Sequence, residues 1–354
     1  MDKTGIAIIG YGGMGGWHCK KIAEIEELKL TGIYDILDSR KNVAEERGIH
    51  AYASMEDLLQ DPQVQIVTVA VPNQLHKEIC IQVMQAGKNV VCEKPVAMNH
   101  QELQDMIDAA KANHVLFTVH QNRRWDEDYL IIKHIYEEAT LGKTFRIESR
   151  VHGSRGIPGD WRNKKECGGG MVLDWGVHLL DQIMQMIPKK LTSIYAELSF
   201  VTNENCDDGF TVTMKFEDQL TVVVEVGTSN FINLPRWYML GENGSAVIDN
   251  FNLDGKIVMV SDWQKRDAVP VETAAGLTKT MAPRTEETIK EYPLPRQHTD
   301  IKDYYRNVVK VIKGEEEPLI KHHEVMRVMK LMEAVFESAE KNVVITDFEE
   351  RCKE

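Results

Sequence analysis

Short apolar runs alternate with amphipathic stretches over the first third of the chain. Ile6 to Ile9 is a strand-like run, and a helical pattern follows the glycines just after it. Helices are then expected at Arg40 to Arg47, Ser54 to Gln60, Gln74 to Ala86 and Asn99 to Asn113, with strands at Gln65 to Val71, Asn89 to Cys92 and Val115 to Val119. This alternation implies a parallel sheet with right-handed crossovers and helices on both faces. The ligand of such a sheet lies beyond the carboxyl ends of its strands.

From about Asn122 the period changes. A helix over Glu127 to Thr140 leads into longer strands at Thr144 to His152, Leu191 to Val201, Phe210 to Phe216 and Leu220 to Thr228. Phe210, Val212, Met214 and Phe216 alternate with Thr211, Thr213 and Lys215, as on an antiparallel sheet with one covered face. Residues Asp262 to Glu291 are polar, irregular and too long for a routine loop, so they read as a lid, a specificity insertion or an oligomer arm. Amphipathic helices at Asp300 to Lys313 and His323 to Glu340 close the chain; Val325, Val328, Met329, Met332, Val335 and Phe336 form the core stripe of the second. The expected fold class is α/β: a doubly wound parallel sheet over residues 1–122, then an α+β domain with a mostly antiparallel sheet over 123–354.

The 354 residues suffice for two such domains. A formal charge of −13 excludes a nucleic-acid surface, which needs concentrated basic charge. No apolar run reaches membrane-spanning length, and the N-terminus enters a strand with no signal-peptide pattern, so a cytoplasmic protein with no membrane partner is expected. Cys19, Cys80, Cys92, Cys167, Cys206 and Cys352 are scattered, without C-x-x-C spacing, and read as reduced thiols. The one adjacent histidine pair, His322 and His323, points in two directions on a helix; no metal is expected.

Chemistry enters first at the glycines. Gly10, Gly12 and Gly15 fit G-x-G-x-x-G between a strand and a helix, and Asp35 ends the next strand-like run, twenty positions after Gly15. Gly10 permits the tight turn, Gly12 lets a pyrophosphate reach the backbone, and Gly15 lets helix and strand pack closely. The helix N-terminus offers unpaired N–H groups to the phosphates. A carboxylate at Asp35 accepts from an adenosine ribose and repels a 2′-phosphate, which favours NAD over NADP, although Arg40 nearby leaves room for NADP.

Two further loops lie at strand ends. Pro72 fixes the exit of Val71-Pro72-Asn73-Gln74-Leu75-His76, and Asn73 either caps the next helix or bonds a cofactor ribose or amide. In Cys92-Glu93-Lys94-Pro95, Lys94 either points its ammonium at the ligand crevice or is a solvated surface lysine. In the second domain, Gly168, Gly169 and Gly170 allow close backbone approach before a helical pattern in which Asp174, His178 and Asp181 share one face. A histidine between two acids suits proton transfer, because a neighbouring acid raises the imidazole pKa and orients the ring. The alternative makes Asp174 an N-cap and His178 a satisfied interior histidine. Gly176 within the helix implies that something packs closely against it.

Taken together, Gly10-Tyr11-Gly12-Gly13-Met14-Gly15 with His18, Pro72-Asn73 with His76, Glu93-Lys94-Pro95, Trp161-Arg162 and the triple glycine leading to Asp174, His178 and Asp181 resemble the glucose-fructose oxidoreductase / inositol dehydrogenase / MocA (Gfo/Idh/MocA) family. Asn122-Arg123-Arg124-Trp125 looks like its sugar- or cyclitol-oxidising branch. The resemblance implies a Rossmann domain and a second domain whose open sheet supports homodimers or homotetramers. It also implies that Lys94, Asp174 and His178 are catalytic: His178 takes the hydroxyl proton, Lys94 stabilises the developing oxyanion, and Asp174 positions the substrate and tunes His178. Cofactor contacts are implied for Gly10, Tyr11, Gly12, Gly13, Met14, Gly15, Asp35, Pro72, Asn73, His76, Glu93 and Lys94. Substrate contacts are implied for Asn122, Arg124, Trp161, Arg162, Asp174 and His178.

The expected activity is NAD-dependent oxidation of a secondary ring hydroxyl of a sugar, glycoside or cyclitol. Arg123, Arg124 and Arg162 would equally serve a carboxylated or phosphorylated sugar. Two alternatives use the same residues or fewer. One is a redox-neutral sugar enzyme that retains its NAD and acts by oxidation and elimination; the other is a non-catalytic NAD-binding sensor.

Overall fold

The computed structural model describes residues 3–265, 269–278 and 281–353. Its first unit runs β1 (Thr4–Ile9), α1 (Gly13–Ala23), β2 (Leu28–Tyr34), α2 (Asp38–Glu46), α3 (Met55–Gln60), β3 (Ile66–Val69), α4 (His76–Gln85), β4 (Asn89–Cys92), α5 (His100–Ala112) and β5 (Phe117–Val119). All strand pairs are parallel, in the order β2-β1-β3-β4-β5. Every residue of β1, β3 and β5 is buried, as expected of strands covered on both faces. The order reverses between β1 and β3, so the loops after these two strands flank the switch point where such sheets bind ligands.

The second unit begins with α6 (Glu127–Glu137) and β6 (Thr144–His152), followed by α7 (Val177–Met186), β7 (Leu191–Ser199), β8 (Gly209–Phe216) and β9 (Thr221–Gly227). It continues through β10 (Trp237–Gly241), β11 (Gly244–Ile248), β12 (Gly255–Val260), β13 (Val271–Thr273), β14 (Gly276–Thr278) and β15 (Ile289–Tyr292), then α8 (Lys302–Ile312), α9 (His322–Lys341) and α10 (Phe348–Arg351). Eight strands form one sheet in the order β15-β12-β11-β10-β6-β9-β8-β7, antiparallel except for the β6–β9 pair. Val212, Met214, Val222 and Val224 bury one face, while Arg150, Thr211, Thr213 and Glu225 on the other remain partly exposed.

Three differences from the sequence pattern stand out. Strands β10, β11 and β12 were not expected; their hairpin turns on Glu242-Asn243, and the Asn243-Gly244 pair is a hairpin signal. The span from Asp262 to Glu291 is not irregular throughout: β13 and β14 form a hairpin and β15 pairs with β12 at the sheet edge, while residues 266–268 and 279–280 fall outside the described residues. The helical run expected to carry Asp174 opens as a π-helix over Val172–Gly176 and becomes α-helical only at Val177.

Helices α8 and α9, late in the chain, return to the first unit. The Tyr305 hydroxyl of α8 bonds His18 of α1 at 2.8 Å and Thr68 of β3 at 3.1 Å, and His322 of α9 donates to the Phe117 carbonyl of β5 at 2.7 Å. No helix among the described residues is long and apolar enough to cross a membrane.

Candidate active site

The glycine corner follows β1 directly. Gly10 has φ +95°, and a Cβ there would lie 2.5 Å from the Ala70 carbonyl oxygen; one on Gly15 would lie 2.0 Å from that of Gly10. Both glycines are therefore forced by backbone contact. At Gly12 and Gly13 an added Cβ meets nothing within 4 Å, so the backbone lies open to a ligand beside the N-terminus of α1. That open cradle fits a pyrophosphate. Met14 is partly exposed there, whereas the Tyr11 side chain is buried. Asp35, just past β2, accepts the Tyr11 N–H at 2.7 Å through Oδ2 and the Leu37 N–H at 2.9 Å through Oδ1. These bonds hold the carboxylate at the rim and leave it lone pairs for a ribose.

The second and third loops are tied to each other and to the C-terminal unit. Asn73 caps no helix; its amide donates to the Gly168 carbonyl at 3.2 Å, joining the β3 loop to the triple-glycine turn. His76, expected at the cofactor, turns inward instead, its ring nitrogens each 2.9 Å from a backbone carbonyl, of Pro95 and of Val71. It clamps the two loops together, and burial keeps its pKa below the usual value despite both bonds. The Lys94–Pro95 peptide is cis.

Glu93 is a further correction, since its carboxylate is spent inside the protein. Oε1 receives His18 Nε2 at 2.7 Å and His120 Nδ1 at 2.8 Å, and Oε2 accepts the Lys94 N–H at 3.1 Å. Burial opposes its ionisation, but His120 and His18 outweigh that and hold its pKa well below the carboxylate range. The ligating atoms of this buried trio lie within 4.8 Å of one another, a spacing suited to a metal ion and equally explained by the hydrogen bonds. Scattered sequence positions concealed the group, although Glu93 and His120 each directly follow a strand, β4 and β5.

Lys94 does enter the crevice. Its ammonium donates to the Asp174 carbonyl at 2.8 Å and to Oδ1 at 3.2 Å, while Arg162 Nε donates to Oδ2 at 2.8 Å. Burial favours the acid form of Asp174, but the Lys94 and Arg162 cations prevail and hold its pKa low. The three glycines make this meeting possible. A Cβ on Gly169 would lie 2.4 Å from the Arg162 carbonyl oxygen, and one on Gly170, at φ +101°, 2.1 Å from Asp207 Oδ1. Asp207 Oδ2 accepts the Val172 N–H at 2.8 Å at the start of the π-helix. Gly176 is packed against as expected, since a Cβ there would be 3.2 Å from the Phe210 ring.

His178 differs from its expected setting. No bond joins it to Asp174 or Asp181: Asp174 is engaged by two cations, and Asp181 binds Arg124 through both oxygens, at 2.8 and 2.6 Å. Its pKa falls well below that of a free histidine instead of rising, through burial first and then the cations Lys94 and Arg123. Nδ1 is buried and, among the described residues, has no hydrogen-bond partner. Asp174 is no N-cap, and His178 is no satisfied core histidine.

The proposed substrate residues divide. Arg124 is locked between Asp181 and Glu324 Oε2, the latter at 2.7 Å, which makes it a brace between α7 and α9. Arg162 stacks over Trp161 at 4.5 Å and reaches Asp174, so this pair stays at the site. The Asn122 side-chain oxygen is buried without a partner among the described residues. Sequence reasoning missed the wall beside His178: Arg123 lies 4.2 Å over Trp175, which is 6.0 Å from His178 and 6.4 Å from Phe251. Trp175 lay within the motif; Phe251, from the β11–β12 turn, had no local signal.

This geometry agrees with the comparisons. Residues 4–121 match the model for an oxidoreductase family with an NAD-binding Rossmann fold, and residues 129–247 match the GFO/IDH/MocA C-terminal domain. An NAD-binding protein from Listeria innocua of known structure is 45% identical, with a TM-score of 0.94, over 98% of this chain and 100% of its own. A scyllo-inositol 2-dehydrogenase (NADP(+)) of Bacillus subtilis is 25% identical over 98% of this chain and 96% of its own. A myo-inositol 2-dehydrogenase of Thermotoga maritima is 28% identical over 56% of this chain and 59% of its own.

Proposed function

The chain belongs to the GFO/IDH/MocA family of NAD-binding oxidoreductases, and from that premise we propose that it is a dehydrogenase oxidising a secondary ring hydroxyl of a sugar, glycoside or cyclitol. The observation that carries this reading is the convergence of Lys94, Asp174 and a buried, uncharged His178 with an unpartnered Nδ1. A bound nicotinamide would supply the hydride acceptor. The protein's own part is proton and charge management.

An uncharged His178 has a lone pair to take the hydroxyl proton. The Lys94 ammonium, held in place by Asp174, donates to the oxygen as negative charge develops on it. Arg162 shares Asp174 and keeps that carboxylate ionised beside the substrate hydroxyl. Trp161, Trp175 and Phe251 offer flat apolar faces of the kind that suit a sugar ring. Gly10 to Gly15, with Asp35 at the rim, would hold the dinucleotide. The rim acid favours NAD, although the Bacillus subtilis relative uses NADP. The partly exposed polar face of the large sheet supports a homodimer or homotetramer.

The test is a panel of inositols, free sugars and glycosides incubated with NAD or NADP, following nicotinamide reduction and ketone formation. Reduced nucleotide is expected with one substrate class. Lys94→Ala and His178→Ala should each lower turnover by about 100-fold or more while leaving nucleotide affinity within a few-fold. Ketone chemistry without released NADH would favour the retained-cofactor enzyme, and silence on both channels the sensor.

A further inference from the structure

We propose that Glu93 biases the site toward the oxidised nicotinamide: it is a fixed negative charge beneath the crevice floor, held by His18 and His120, that favours a cationic ring over a neutral one. The inference rests on the nicotinamide reading above. It begins from an unusual arrangement, a carboxylate that is only 5% exposed and has no lysine or arginine side chain bound to it. A buried carboxylate is costly unless its oxygens are fully bonded, and a neutral amide would fill the same space at less cost.

The bonds around it are arranged to keep it ionised. A carboxylate can only accept, so His18 Nε2 and His120 Nδ1 bring the protons, and the Lys94 N–H brings a third. Burial lowers the His18 pKa and keeps that ring neutral, so its Nδ1 accepts from the Tyr305 hydroxyl, which in turn receives the Thr68 hydroxyl. Protonating Glu93 would strand one of these N–H groups. The network thus fixes a charge, as well as a shape.

Its place gives the charge a purpose. Glu93 immediately follows β4, at the carboxyl edge where ligands of open parallel sheets lie, and His18 sits on α1 three residues beyond Gly15. The oxidised nicotinamide ring carries a positive charge that the reduced ring lacks. Lys94 and Arg162 are already paired at the site, with Asp174 and, for Arg162, Asp160 at 2.8 Å, so the charge of Glu93 is not consumed in holding them. Two unit charges about 10 Å apart, at an effective dielectric of about 20, interact by an energy that corresponds to roughly tenfold in affinity.

The experiment compares the dissociation constants of NAD⁺ and NADH, by calorimetry and nucleotide fluorescence, for the wild-type protein and variants. Glu93→Gln should weaken NAD⁺ about tenfold relative to NADH. Where that variant does not fold, Glu93→Asp, which draws the charge back by one methylene, should shift the ratio in the same direction by about 1.4-fold. Tyr305→Phe disturbs the same network but leaves the charge, so its ratio should stay at the wild-type value. An unchanged ratio in Glu93→Gln, or an equal change in Tyr305→Phe, would overturn the proposal. So would a stoichiometric divalent metal bound by the trio, because the cation would cancel the charge. Failure of the wild-type protein to bind either nucleotide would instead remove the nicotinamide reading beneath it.

Discussion

Asp207 holds the start of the π turn that carries Asp174. Burial pushes its carboxyl up to about 7, against the opposing Val172 and Met171 N–H groups. The folded protein therefore binds a proton between about pH 4 and 7 that the unfolded chain has released, so stability should fall as pH rises through that window. Asp207→Asn keeps an acceptor for Val172 and should flatten this dependence. Above pH 7 it should be the more stable protein, by up to about 4 kcal/mol, since a tenfold change in proton affinity is worth about 1.4 kcal/mol. Urea unfolding at several pH values, each compared with wild type, is the measurement.

At the scale of elements, what decides the site is how α7 is started and braced. The wide turn at Val172–Gly176 turns Asp174 to Lys94, while Asp181, farther along, faces Arg124. Arg124→Ala would leave Asp181 buried without its cation and should cost about 3–5 kcal/mol, read as a lower unfolding midpoint. Substrate affinity below that midpoint should change little, because Arg124 is a brace. Much of this level was legible in the sequence: the glycine corner, the strand-end Lys94 and the residues Asp174, His178 and Asp181 around α7 were marked by local spacing. Other parts were not. A π turn has no distinct pattern of its own, so a helical reading of Asp174, His178 and Asp181 placed all three on one face. Glu93 and Arg124 are polar residues whose side-chain partners lie far along the chain, and His76 bonds only backbone carbonyls, so spacing alone could not tell an inward from an outward side chain.

In the whole molecule, two units are joined by more than the chain between them. Tyr305 and His322, both late in sequence, bond into the first sheet, and His100 of α5 meets Glu333 of α9 at 2.6 Å. Loosening either unit breaks bonds in the other. Thermal unfolding should therefore be one cooperative transition, with far-UV dichroism and tryptophan fluorescence giving the same midpoint and NAD shifting both together. Two separated transitions would show that the units are independent.

The seating of Tyr305 against His18 also bears on how the protein is made. Ribosomes deliver a chain from its N-terminus, so the first sheet emerges long before the helix that completes the hydrogen bonds of His18 and, through it, Glu93. Until residue 305 has left the exit tunnel, His18 lacks the hydroxyl that bonds its Nδ1. The nascent chain should therefore complete this buried network only near the end of translation.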